Sequence, residues 1–253
     1  MNAAQKINCA ENIEKISAAK QGWEIVKNDS KGKTAAKPSK KAKRKESIPV
    51  QPLVGGEIVC ARQYLLSRPV YYSGHGLRER DYALFCFNIN VGLRISDLLS
   101  LKICDVTAGE RVKDAIVLTE QKTGKRREIF LNPQVKEILS DYIKSLKEWQ
   151  PEWYLFHALF PQRKPYEPMG RHNINRLMKE IEAGIGSEVP LGTHTLRKTF
   201  ARAVFDQLSA KDDMLGIEQL KDLLGHSSTA ITRAYIGLQR EETKNIYMSA
   251  ELI

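Results

Sequence analysis

Residues 192–200 read GTHTLRKTF and residues 220–237 read LKDLLGHSSTAITRAYIG. Together they place His194 three residues before Arg197, His226 in a Gly-His-Ser turn, and Tyr235 nine residues beyond that histidine. Each of these side chains binds or works on a phosphate, and their concentration within residues 194–235 exceeds what packing alone requires. Thr193 is expected to cap a helix over 195–208 whose first turn carries Arg197. A helix N-terminus beside an arginine is a ready phosphate site. A further helix over 217–224 ends at Gly225, Ser228 or Thr229 caps the segment bearing Tyr235, and a last helix follows Gly237 through Ile246, Met248 and Leu252.

Working upstream, apolar spacing predicts helices over 55–68, 78–90 and, after the break at Gly92, a short one reading ISDLLSLK. Arg94 stands at its start, and Asp97 follows one turn later in a supporting position. Between Val112 and Leu131 the period changes to two. AIVLTEQ and RREIFLN form a hairpin around Lys122-Thr123-Gly124-Lys125. Pro133 opens an amphipathic helix with Val135, Ile138, Leu139, Tyr142, Ile143 and Leu146 on one face. After the loop PQRKPYEPMG, residues 171–183 make another, burying Ile174, Leu177, Met178 and Ile181. No internal repeat is present, and the architecture expected is mainly α with a small antiparallel β-sheet.

The net charge of +10 is unevenly spread. Residues 1–60 hold twelve Lys/Arg against six Asp/Glu, or +6, which leaves +4 for the rest. Residues 3–27 have weak helical spacing, and Lys31–Lys45 carries eight basic residues in fifteen with no large apolar one. Such a segment cannot offset its ordering entropy by burial. Residues 1–47 are therefore expected to be a basic, largely disordered arm, and residues 48–253 one folded domain. Lys40, Lys41, Lys43, Arg44 and Lys45 would neutralise nucleic-acid phosphates and release counterions. KKAKRK also fits a nuclear-import signal, a pattern with many false positives. Cys9, Cys60, Cys86 and Cys104 have no metal-type spacing and read as reduced, which suits a cytoplasmic protein. No apolar run reaches membrane-spanning length.

The motifs Gly92-Leu93-Arg94-Ile95-Ser96-Asp97, Glu120-Gln121-Lys122-Thr123-Gly124-Lys125, Thr193-His194-Thr195-Leu196-Arg197, Leu224-Gly225-His226-Ser227-Ser228 and Tyr235-Ile236 resemble those of the tyrosine recombinases, the phage-integrase family. Order and spacing agree over roughly residues 50–250, and the nearest likeness is to short integrases of bacterial mobile elements. The resemblance implies the family's catalytic-domain fold, double-stranded DNA as substrate and a homo-tetramer on DNA. It implies an accessory DNA-bending or directionality protein as a further partner, and neither metal nor other cofactor. Tyr235 would be the nucleophile, Arg94 and Arg197 the phosphate clamp, Lys122 the general acid, His194 an acid–base group and His226 a phosphate donor.

Taken singly, each residue also has a bland reading. Arg94 could cap a helix, Lys122 competes with Lys125, His226 could be a loop residue and Tyr235 a half-buried helix residue. His75, His157 and His172 default to structural or surface roles. Longer family members carry a separate core-binding domain, and here that domain is expected to be absent or reduced to the weak helix at 3–27 plus the basic arm. Base-reading residues are sought among Lys164, Arg171, His172, Asn173, Asn175 and Arg176, and Lys125 is a further DNA contact. Two other functions fit the same residue types: a type IB topoisomerase, and a DNA-binding regulator without chemistry. The latter has no need of Tyr235.

Overall fold

The computed structural model describes residues 49–69, 77–158, 167–210 and 213–249. The basic arm, the weak helix at 3–27, His75 and Lys164 lie outside them.

Punctuation seen in the sequence sets the helix ends. α1 (Gly56–Ser67) follows Gly55, and α2 (Leu77–Val91) stops at Gly92, whose φ of 62° is left-handed. Asn88 helps to close this end, because its Oδ1 accepts from the Leu93 amide at 2.9 Å. α3 (Ile95–Ser100) starts directly after Arg94, and α4 (Ile103–Val106) is one turn. A minimal pair, β1 (Thr107–Ala108) and β2 (Arg111–Val112), precedes the antiparallel hairpin of β3 (Ala115–Thr119) and β4 (Arg126–Phe130). Among the described residues the β-structure is therefore two separate two-stranded sheets rather than one. α4 and the β1–β2 pair are too short to produce a readable period.

α5 (Pro133–Ser145) has Pro133 in its first turn and Asn132 as its cap, with Oδ1 accepting from the Val135 amide at 2.9 Å. α6 (Arg171–Ile185) ends at left-handed Gly186. α7 (Thr195–Ser209) begins one residue later than a Thr193 cap requires. His194 takes the cap position without a side-chain bond to the helix, and the Thr195 hydroxyl instead accepts from the Gly192 amide at 3.0 Å. α8 (Asp213–Leu224) starts four residues earlier than its apolar spacing indicated. α9 (Thr229–Ile236) is capped by Ser228, which accepts from the Ile231 amide, and α10 (Leu238–Ser249) follows left-handed Gly237.

Two apolar cores result. The larger gathers α1 to α6 and the hairpin around Leu65, Phe85, Phe87, Leu98, Ile116, Leu139, Phe156 and Leu177. The smaller joins α7, α8 and α9 through Ala201, Phe205, Ile217, Leu220, Leu224 and Ile236. α7 belongs to both: Leu196 near its start is in the larger core, while Ala201 and Phe205 are in the smaller. Arg197 therefore lies at the seam. Of the cysteines, Cys86 and Cys104 are free thiols as expected, Cys60 is disulfide-bonded and departs from that reading, and Cys9 is outside the described residues.

Candidate active site

Arg197 is 4% exposed, and its guanidinium spans the seam between the cores. Nη1 donates to the Gly92 carbonyl at 2.5 Å and Nη2 to the Leu224 carbonyl at 2.9 Å. Both acceptors are buried carbonyls at helix C-termini, where intrahelical bonding leaves them over. Those residues stand just before Arg94 and His226, so one side chain sets the spacing of the two loops that carry them. Burial pulls the Arg197 pKa down, and an arginine so far from neutral pH stays charged.

Arg94 faces two buried carboxylates. Its Nη1 is 2.7 Å from Glu120 Oε2 and 3.9 Å from Asp97 Oδ2. The 2.7 Å contact is a close ion pair, and this buried nitrogen makes no directed hydrogen bond among the described residues. Asp97 Oδ1 accepts from the Gln121 amide at 3.0 Å, which ties the Arg94 turn to the hairpin. Arg127 also approaches Glu120, with Nη1 3.8 Å from Oε1.

Tyr235 lies on α9 with its ring partly exposed and its hydroxyl enclosed, and the oxygen makes no directed hydrogen bond among the described residues. Burial pushes the phenol up, while Arg197 beside it and Arg94 pull it partly back. The His226 ring meets the Tyr235 ring edge-on at 5.2 Å, and the Lys198 ammonium lies 5.2 Å from the ring centroid. Left-handed Gly225 turns His226 out of α8. His226 Nδ1 is 3.0 Å from the Thr232 hydroxyl, which also reaches the Ser228 carbonyl at 3.3 Å. The His226 pKa is lowered by burial and then by Arg197 and Arg94. His194 is solvent-exposed, and its pKa is lowered by burial of part of the ring and by Arg171, Lys198, Arg197 and Lys122. Both imidazoles are therefore biased neutral until an anion enters.

Five of the six expected residues, Arg94, His194, Arg197, His226 and Tyr235, are gathered around the Arg197 guanidinium, whose charge acts on the other four. Lys122 is exposed at the hairpin tip, close enough to act on His194 through its charge. Lys125 is exposed on the same turn. Arg171, His172 and Arg176 are exposed on the first turns of α6, Asn173 is half-buried, and Arg176 is 3.6 Å from Glu180. His157 is buried and structural as expected, its Nδ1 3.2 Å from the Tyr154 carbonyl.

Arg127, Lys198, Thr232 and the role of Glu120 escaped the sequence reading. Two of them had a signal. Arg127 is in phase with buried Ile129 on β4, and Lys198 is one helical turn beyond His194. Nothing local points from Glu120 to Arg94 or from Thr232 to His226.

Residues 71–242, a span that includes all six, match the phage integrase family. The probable integrase/recombinase YoeC of Bacillus subtilis is 37% identical over 199 residues, covering 78% of this chain and 95% of YoeC. Tyrosine recombinase XerC of Rhodospirillum centenum is 30% identical over 177 residues, covering 69% of this chain but only 47% of XerC. The fold is that of the XerA recombinase (TM-score 0.55, 22% identity, 85% of this chain and 68% of that one). It is equally that of XerH in a post-cleavage complex with its difH substrate (TM-score 0.56, 18% identity, 78% and 53%). A fold built around an arginine-bridged seam, five convergent residues and a family match over two thirds of its length make this chain a member of the phage integrase family, the tyrosine recombinases.

Proposed function

We propose that the chain is a site-specific DNA recombinase that cleaves and rejoins strands through Tyr235. The observation that carries this reading is the enclosed Tyr235 hydroxyl beside Arg197 and His226, with the Arg94 charge also acting on it. The phenol loses its proton and its oxygen bonds to phosphorus, while the bond from phosphorus to the 5′ oxygen breaks. That oxygen takes a proton from Lys122, and a 3′-phosphotyrosyl link remains. Arg94 and Arg197 hold the charge that builds on the non-bridging oxygens, with fixed donors in place of a metal. His226 donates to the same oxygens, and His194 handles the tyrosine proton. A free 5′ hydroxyl of another strand reverses the step without ATP, because the phosphoester energy is kept.

Duplex DNA binds across this site, with Arg171, His172, Asn173 and Arg176 of α6 and Lys125 of the hairpin towards it, and the basic arm adds salt-sensitive affinity. A tetramer on DNA, helped by an accessory DNA-bending or directionality protein, completes exchange in the cytoplasm.

The test is a panel of nicked duplexes tiling the DNA that flanks the gene, incubated with the protein in chelator and run on a denaturing gel. A covalent adduct that Tyr235→Phe abolishes is the expected result. An adduct that persists in that variant, or none on any duplex despite binding, refutes the proposal.

A further inference from the structure

The hairpin tip that bears Lys122 is a six-residue turn closed by its own backbone. The Glu120 amide donates to the Lys125 carbonyl at 2.9 Å, and the Gly124 amide to the Glu120 carbonyl at 2.8 Å. Gly124 supplies the left-handed residue, with φ 67°. Lys122 itself is exposed and has no ion pair among the described residues. A lysine free on a turn is a poor general acid, since proton transfer needs a donor held at hydrogen-bond distance.

Both neighbours of Lys122 are held, and each by a carboxylate that also faces Arg94. On one side the Gln121 amide donates to Asp97 Oδ1 at 3.0 Å. On the other, the Thr123 hydroxyl donates to Glu120 Oε2 at 2.6 Å, and this same oxygen lies 2.7 Å from Arg94 Nη1. Glu120 is 6% exposed and acidic, an expensive group to bury in a turn unless its charge is used. Burial opposes its ionisation, but the Thr123 hydroxyl, Arg94 and Arg127 outweigh that and keep it a carboxylate.

Building on the proposed cleavage reaction, we propose that Glu120 is a positioning residue: one carboxylate oxygen couples the phosphate-binding Arg94 to the turn that delivers Lys122. Glu120 touches neither DNA nor the reacting atoms. It acts by fixing Thr123, and through it the direction in which Lys122 leaves the turn. Asp97 does the same for Gln121, so Lys122 is referenced to Arg94 from both sides.

A leaving group that needs no proton separates this role from a merely structural one. A thiol ionises near pH ~8.5, far below an alcohol, so a duplex with sulfur in place of the 5′ bridging oxygen expels a thiolate without Lys122. Glu120→Gln keeps the size and loses the charge. Thr123→Val removes one hydroxyl and leaves the Arg94 contact alone. Single-turnover adduct formation on the oxygen substrate should fall about tenfold to hundredfold for both Glu120→Gln and Thr123→Val, the range for a hydrogen bond to a charged group. On the sulfur substrate both should come within about threefold of wild type.

Wild-type rates for both variants on the oxygen substrate overturn the inference. So does an equal defect of Glu120→Gln on both substrates, which would place its effect on Arg94 or on folding. Wild-type protein that forms no adduct on either substrate refutes the proposed function itself, and this inference with it.

Discussion

Replacing Gly92 by Ala attacks the seam without touching a charged group. Gly92 has φ 62°, where an L-residue with a Cβ costs about 1–2 kcal/mol. The added Cβ would also lie 2.1 Å from Phe200 Cδ1 and 2.6 Å from Cγ, well inside contact distance. Either the α7 backbone or the ring must move, and overpacking of this kind costs about 1–3 kcal/mol. The two terms sum to about 2–5 kcal/mol, a large part of the ~5–15 kcal/mol that a domain has. Gly109 isolates the first term, because it shares φ 62° but a Cβ there meets nothing within 4 Å. Urea denaturation of Gly92→Ala, Gly109→Ala and the double variant Gly92→Ala/Phe200→Leu should rank them with Gly92→Ala the least stable, and Phe200→Leu should return part of the loss. The Gly92 carbonyl is also an Arg197 acceptor, so Gly92→Ala should lower adduct formation at least tenfold even where it is folded. If Gly92→Ala proves no less stable than Gly109→Ala, the contact with Phe200 does not constrain the seam and the argument fails.

Two further predictions concern the imidazoles. His194 and His226 are held below the ordinary histidine value of 6.5, so the unfolded chain binds more protons than the folded one as pH falls through that value. Stability from these groups is therefore present above pH 6.5 and lost as pH falls through the lowered folded values. A phosphate set among them reverses the bias, so DNA binding at pH 6.5 should take up protons. Calorimetry in buffers of different ionisation enthalpy reads this uptake, and proton release on binding would contradict it. Thr232→Val, at a buried position, removes the partner of His226 Nδ1. It should slow adduct formation about tenfold while changing stability by only about 1 kcal/mol, and an unchanged rate would show that the Thr232 hydroxyl does not orient His226.

Much of this was legible in the chain. Gly92, Gly225 and Gly237 mark helix ends because only glycine takes left-handed φ cheaply, and Pro133 and the Ser228-Thr229 pair announce helix starts. The hairpin followed from alternation around Lys122-Thr123-Gly124-Lys125, and its strands pair Thr119 with Arg126. The shift of the α7 cap from Thr193 to His194 was not legible, because the choice depends on Thr195 bonding backward to Gly192. Nor were α4 and the β1–β2 pair, whose two to four residues are shorter than the period that would reveal them.

The motifs that contain Arg94, His194, Arg197, His226 and Tyr235 were legible in the sequence, because each spans only a few residues at a turn, a cap or a helix end. Tertiary structure alone decided what each of them touches. Arg197 reaches the carbonyl of Gly92, 105 residues away, and that of Leu224, 27 residues away, and Glu120 joins Arg94 to Thr123. Backbone preference and hydrophobic period act over one or two turns of chain, whereas the partner of a buried charge is set by which helix ends packing brings to the same seam.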